Sequence, residues 1–181
     1  MGNIRVEGKK LIYQRKDELT IIEPYGMNCL RCRSTKNSKI LDENWTVLPP
    51  ATADDCHIEC DGKFATITNG AMKATIDAGQ IWYGGIITYF KKDTPVLHTR
   101  FEGDYSNRNQ HIEGDHYKIS VIFDANEGEH FYGIGQEQVD LFDRKGSTSQ
   151  IIHYNTKSTV PVLYSSLGYG FFWNNPSPGR C

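Results

Sequence analysis

No stretch of this sequence stays apolar for the roughly 18 residues that a membrane-spanning helix needs. The opening MGNIRVEGKK has no apolar core of signal-peptide length, so a cytoplasmic chain with no membrane partner is expected. Positive charge is not in excess either. Twenty Lys and Arg face 22 Asp and Glu, and the net charge of −2 gives no general attraction to nucleic acid. An even cysteine framework is also missing. The five cysteines, Cys29, Cys32, Cys56, Cys60 and Cys181, fit free thiols in a reducing compartment. Cys29–Cys32 and Cys56–Cys60 have near-zinc spacing, but both pairs sit in segments that read as strands. Residues three apart on a strand point to opposite faces, so buried thiols rather than a metal site are expected. The lone sequon at Asn44-Trp45-Thr46 is read as chance.

The motifs of familiar chemistry are broken one by one. HFYGIGQEQVDLFDRKGS, residues 130–147, has Gly133 and Gly135 but Gln138 where a dinucleotide loop needs its third glycine, and no phosphate-loop Lys follows. No cofactor is expected. His111 to His116 lacks the spacing that puts two imidazoles on one helix face. The run Asp104 to Arg108 places a cation at the third ligand position of a calcium loop. The run Tyr164-Ser165-Ser166-Leu167-Gly168 lacks the glycine before its serine that a nucleophile elbow requires. His98 and His130 read as hydrogen-bonded strand-end histidines. Glu137, Asp140 and Asp143 are close enough for an acid–base pair, yet a solvated loop face is the simpler reading. No catalytic residue is assigned.

What is present is β-structure. Apolar residues make up 38% and charged residues 23% of 181 positions, enough for one domain with a core. In the run from Cys56 to Asp77, Asp61-Gly62 and Asn69-Gly70 are turn pairs that favour positive φ. Between and after them lie KFATIT and a strand in which Met72, Ala74 and Ile76 alternate with Lys73, Thr75 and Asp77. Period two with one apolar face predicts a meander with Met72, Ala74 and Ile76 inside. HYKISVIFD, LTIIEP, NCLRCRST, QIIHYN, VPVLYSS and YGFFWN add further runs of the same kind. Residues 35–44 and 102–115 read as polar loops. The prediction is an all-β antiparallel sandwich, residues 1–181 forming one domain.

The final third carries a resemblance. Phe131-Tyr-Gly-Ile-Gly-Gln136, Asp143-Arg-Lys-Gly146, Tyr154-Asn-Thr156, Val160-Pro161, Ser165-Ser166, Gly168-Tyr-Gly170 and Trp173-Asn-Asn175 follow one another in an order that resembles the N-terminal domain of family 31 glycoside hydrolases, the α-glucosidases and α-xylosidases. The resemblance implies a galactose-mutarotase-like sandwich placed before a catalytic (β/α)8 barrel. Such a barrel takes about 250 residues, so the chain reads as an accessory domain whose parent cleaves an α-linked oligosaccharide. HFYGIGQ then becomes scaffold, a strand meeting a glycine turn with Phe131 or Tyr132 buried.

By the same resemblance, the loop 153–158 reaches towards the barrel mouth. Tyr154 would stack on a sugar face and Asn155 would bond a hydroxyl, with Thr156 and Lys157 completing the loop. Maltase-like members carry an acidic residue where Lys157 stands. A loop that packs on the barrel without touching sugar remains open. So do two other identities for the chain, a free-standing mutarotase-like epimerase and a carbohydrate-binding module. The segment 136–158 is expected to leave Phe142, Ile151, Ile152 and Tyr154 as an apolar or mobile surface.

Overall fold

The computed structural model describes residues 2–16, 18–44, 46–50, 55–79, 85–100 and 108–181, without the side chains of 108–113. Trp45 of the sequon and the Asp104–Ser106 part of the broken calcium pattern lie outside the described residues. The described elements are all β-strands, and every strand pair is antiparallel. The chain divides into two compact units, Met1–Asp124 and Ala125–Cys181.

The first unit opens with β1 (Asn3–Glu7), β2 (Lys10–Arg15), β3 (Glu18–Pro24) and β4 (Leu30–Thr35), paired in chain order. A five-stranded meander follows: β5 (Cys56–Cys60), β6 (Phe64–Asn69), β7 (Met72–Asp77), β8 (Ile86–Lys91) and β9 (Thr94–His98). One core holds the two sheets together. Ile4, Leu11, Tyr13 and Ile22 come from the first sheet, and Ala65, Ile67, Ala74, Ile76 and Ile87 from the second. This is the two-layer packing of a β-sandwich. Each fully buried isoleucine contributes about 1.5–3 kcal/mol of transfer free energy.

The phase of β7 is the expected one. Ala74 and Ile76 are fully buried, Met72 is half-buried, and Asp77 lies on the opposite side with Lys73 and Thr75. The turns are displaced by one residue from the sequence reading. Asn69 pairs with Met72, so Gly70 and Ala71 form the loop, and Gly70 alone takes positive φ. At the other turn Gly62 takes φ 88°, while Asp61 Oδ1 accepts the amides of Lys63 and Phe64. Asp61 therefore bonds its turn from the position before it, as a short acceptor side chain does.

Asn69 also ties the two sheets. Its Nδ2 donates to the carbonyls of Gly26 and Cys29, both at 2.7 Å, and Asn28 Oδ1 accepts the Ala71 amide at 2.7 Å. Cys32 and Cys56 pack at the edge of the core, as buried thiols would. Cys29, Cys60 and Cys181 do not, and are exposed free thiols.

The expected loop 102–115 needs correction. Arg108–Glu113 is strand β10, paired along its whole length with β11 (His116–Val121) across a turn at Gly114, φ 64°. The sequence reading caught β11, as HYKISVIFD, but took β10 for part of the polar loop. The apolar members of β11 do not enter a core, since Tyr117 and Ile119 are exposed.

The second unit is built on β12 (Phe131–Gln136), β14 (Ser158–Ser165) and β15 (Gly170–Phe172), with β14 in the middle. A small ladder joins β13 (Gln150–Ile151) to β16 (Gly179–Arg180). Gly133-Ile134-Gly135 is not a turn but the part of β12 that faces a bulge in the ladder: Gly133 pairs with Leu163 and Gly135 with Thr159, so the extra residues lie on β14. All three residues have positive φ: 117°, 66° and 86°. The bulge drives Ile134 inward to 2% exposure, while Phe131 and Tyr132 remain only half-buried. Ile134, not Phe131 or Tyr132, is the buried residue of this stretch.

Candidate functional site

The chemically dense part of the second unit lies between β12 and β14. Glu137 follows β12 directly, and its carboxylate is 10% exposed rather than solvated. Oε2 accepts Arg144 Nη1 at 2.6 Å and Ser149 Oγ at 3.2 Å, and Oε1 binds Lys157 Nζ. The Lys157 hydrogen bond, aided by the Lys157 and Arg144 charges, holds Glu137 below the usual carboxylate range against its burial. Asp140 is the exposed carboxylate that the sequence suggested.

Asp143 organises the next turn. It accepts the Phe131 amide at 3.1 Å, the Lys145 amide at 3.0 Å and His130 Nδ1 at 2.6 Å. His130 and His98 are thus the bonded strand-end histidines expected, the latter through Thr88 Oγ1 at 2.7 Å. The His130 bond and the two amides bring Asp143 down to about 2. A carboxyl whose folded pKa lies below its unfolded value of about 3.9 stabilises the fold above that value. This stabilisation is lost as pH falls from about 4 through 2. Asp143→Asn is accordingly expected to show a smaller drop in Tm between pH 5 and pH 2.5 than the parent chain. Equal drops in a pH series of thermal melts would remove Asp143 as a source of acid lability.

Glu129 is the group that sequence reasoning missed. Its side chain is almost fully buried and accepts Ser165 Oγ at 2.5 Å, Tyr169 Oη at 2.6 Å and Asn126 Nδ2 at 3.0 Å, with Lys145 Nζ at 3.9 Å. Burial pushes Glu129 up, but these donors outweigh it and the net shift is downward. Burial and the Glu129 carboxylate together raise the Tyr169 hydroxyl. The nearest sequence signal was the motif pair Ser165-Ser166 and Gly168-Tyr-Gly170, which holds both hydroxyls.

The four loop residues do not behave alike. Tyr154 and Lys157 exchange backbone bonds, Tyr154 N to Lys157 O at 3.2 Å and Lys157 N to Tyr154 O at 3.3 Å. Asn155 and Thr156 form the exposed tip of that small hairpin. Tyr154 is 56% exposed, with its hydroxyl donating to Gln150 Oε1 at 3.2 Å. Lys157 instead turns inward onto Glu137. The expected apolar surface is present in Phe142, 83% exposed, and Tyr154, while Ile151 and Ile152 are half-buried. Register adds a sheet face with Tyr132, Val162, Tyr164 and Phe172, where Tyr164 is 61% exposed. Among the described residues, no group of three or more His, Cys, Asp or Glu side chains is placed to hold a metal ion.

Two facing antiparallel sheets make the first unit a β-sandwich, and in the second unit Glu129, Glu137 and Asp143 are tied into internal pairs. The chain belongs to the glycosyl hydrolase 31 N-terminal galactose mutarotase-like domain family, whose model matches residues 18–181. It is 29% identical to an uncharacterized family 31 glucosidase, ORF2, of Pseudescherichia vulneris, over 88% of this chain and 33% of that protein. It is 34% identical to alpha-xylosidase A of Aspergillus niger, over 37% of this chain and 9% of the relative. A family 31 alpha-xylosidase from a soil metagenome, solved with xylose, superposes with TM-score 0.87 at 25% identity, over 98% of this chain and 28% of that one. The chain thus spans about a third of the length of the family 31 glucosidase.

Proposed function

We propose that this chain is the non-catalytic N-terminal domain of a retaining α-glycosidase of the α-xylosidase or α-glucosidase type. In this reading it supports a catalytic (β/α)8 barrel and lines the sugar subsites with the hairpin 154–157. One observation carries the reading: the family match covers residues 18–181, yet that span equals only a fraction of each relative's length. A retaining mechanism needs two carboxyl groups about 5–5.5 Å apart across the anomeric carbon. The candidate carboxylates here, Glu129, Glu137 and Asp143, are committed to internal hydrogen bonds. The barrel is assigned both catalytic groups. Exposed Tyr154, with Asn155 beside it, offers a ring face and an amide to an α-linked oligosaccharide. The exposed thiols Cys29, Cys60 and Cys181 suit a cytoplasmic, reducing setting.

The test uses the longer polypeptide with a nitrophenyl α-xyloside and α-glucoside. Tyr154→Ala is expected to raise KM about threefold to tenfold, the kinetic equivalent of one aromatic contact, and to lower kcat less. Unchanged constants for both Tyr154→Ala and Asn155→Ala would make the hairpin scaffold only. Nitrophenol release by the 181-residue chain alone, surviving repurification, would overturn the non-catalytic assignment. A second reading, a carbohydrate-binding module, is favoured by the exposed ring face of Tyr164 and Phe172. Millimolar sugar binding by the chain alone, lost in Tyr164→Ala, would select it.

A further inference from the structure

We propose that Glu137 is a positioning residue that fixes the 154–157 hairpin by clamping Lys157 and Arg144, so that Tyr154 and Asn155, and not Lys157, are presented outward. The sugar-facing part of this inference rests on the function proposed above. The clamp itself does not.

A two-residue hairpin is marginal in water by itself, because one pair of backbone bonds does not offset the entropy of ordering it. Something outside it must hold its base. Three separated segments converge on the Glu137 carboxylate. Glu137 lies just after β12, Arg144 in the Asp143 turn, Ser149 just before β13, and Lys157 at the base of the hairpin just before β14. The groups are well shielded, with side chains 10% exposed for Glu137 and Arg144 and 16% for Lys157. A shielded pair of this kind fixes geometry more than it adds stability, and removing one partner leaves the others uncompensated.

The arrangement has a direction. Oε1 serves Lys157 while Oε2 is shared by Arg144 and Ser149, so the carboxylate cannot rotate without giving up a donor. Arg144 is held in turn through its own backbone, whose amide donates to the Phe131 carbonyl at 2.7 Å. Strand β12 is therefore the reference to which the hairpin base is fastened. A second strut, Tyr154 Oη on Gln150 Oε1, restrains the opposite arm. With Glu137 neutral, Lys157 and Arg144 would face one another across a site without its anion. Lysine is the more flexible of the two and would swing to solvent, releasing the base of the hairpin.

The experiment compares the 181-residue chain with Glu137→Gln, Lys157→Met and Lys157→Arg. Amide 15N relaxation reads the order of Asn155 and Thr156. The expected result is a clear loss of order at both tip amides in Glu137→Gln and Lys157→Met, with β12 and β14 resonances unmoved. Lys157→Arg is expected to retain the order, because a guanidinium keeps the charge and the bond to Oε1. If Glu137→Gln fails to fold, Lys157→Met carries the comparison, since it leaves the Glu137–Arg144 pair in place. A rigid tip in Lys157→Met, or a mobile one in Lys157→Arg, would overturn the clamp.

In the longer polypeptide, Glu137→Gln is expected to raise KM for an α-xyloside at least threefold with kcat within twofold. A loosened tip with unchanged KM would support the clamp and sink the sugar-subsite reading. A rigid tip sinks the clamp whatever the kinetics show.

Discussion

Gly135→Ala is expected to remove about 3–6 kcal/mol of stability, enough to unfold the second unit at ordinary temperature. Two costs combine. The backbone there has φ 86°, a conformation costly for a residue with a Cβ. The added Cβ would also overlap the Ser158 carbonyl oxygen and lie 2.6 Å from the Val160 amide nitrogen and 3.0 Å from Thr159 Cα. All of these belong to β14, the central strand, and backbone in a ladder cannot move aside without breaking its bonds. Gly146→Ala is the control, because its φ is 75° but nothing lies within 4 Å of the added carbon. It should cost only about 1–2 kcal/mol, the conformational part alone. Denaturant midpoints for the two variants, with hydrogen exchange resolving the amides of β12 and β14, give the comparison. Equal losses would mean that the close approach of β12 and β14 at the bulge is not as described.

The second large effect is expected at Glu129. Its truncation in Glu129→Ala removes the acceptor shared by the buried Ser165 and Tyr169 hydroxyls, and that of the half-buried Asn126 amide. A buried donor without a partner costs about 1–3 kcal/mol, and breaking a buried charged network about 3–5 kcal/mol in total. Glu129→Gln should cost less, since the amide oxygen can still accept from both hydroxyls, which share Oε1, but its NH2 would then face the Asn126 amide that Oε2 now accepts. Tyr169→Phe, which removes one donor and leaves the acceptor, should cost about 1 kcal/mol. The order Glu129→Ala, then Glu129→Gln, then Tyr169→Phe in loss of denaturation free energy is the signature of the network. A Glu129→Ala variant within 1 kcal/mol of the parent would show that the network carries little.

How far the sequence revealed all this depended on the kind of signal. Strand β7 was legible because its alternating side chains see different environments, and the family was legible because seven short motifs keep their order. Strand β11 was legible by the same alternation, but its partner β10 was not, since its run of mostly polar residues reads as a loop. The turns at Asp61-Gly62 and Asn69-Gly70 were placed one residue early, because the dipeptide signature does not say whether its first residue lies in the turn or ends the strand before it. Ile134 was misjudged for a different reason. A bulge resets the in-and-out alternation, and nothing local announces whether two close glycines make a turn or face a bulge. In the candidate site, the pairing of Glu137 with Lys157 spans twenty positions and depends on chain folding, so composition reduced Glu137 to a surface charge. Tyr154, Asn155 and Thr156 were legible as an exposed tip only through the family likeness. The inward turn of Lys157 was not legible at all.

The Asn69 clasp treats two kinds of inherited change very differently. On one side its partners are main-chain carbonyls, at Gly26 and Cys29, which any residue supplies. Position 29 is therefore free to drift in identity without loosening the clasp, and only Asn28 and Asn69 are bound to their side chains by it. Length is another matter. One residue inserted into the turn before β4, or into the turn between β6 and β7, would carry the carbonyls or the amide nitrogen out of reach together. The two sheets are thus aligned by a device that is indifferent to spelling at position 29 but counts letters strictly.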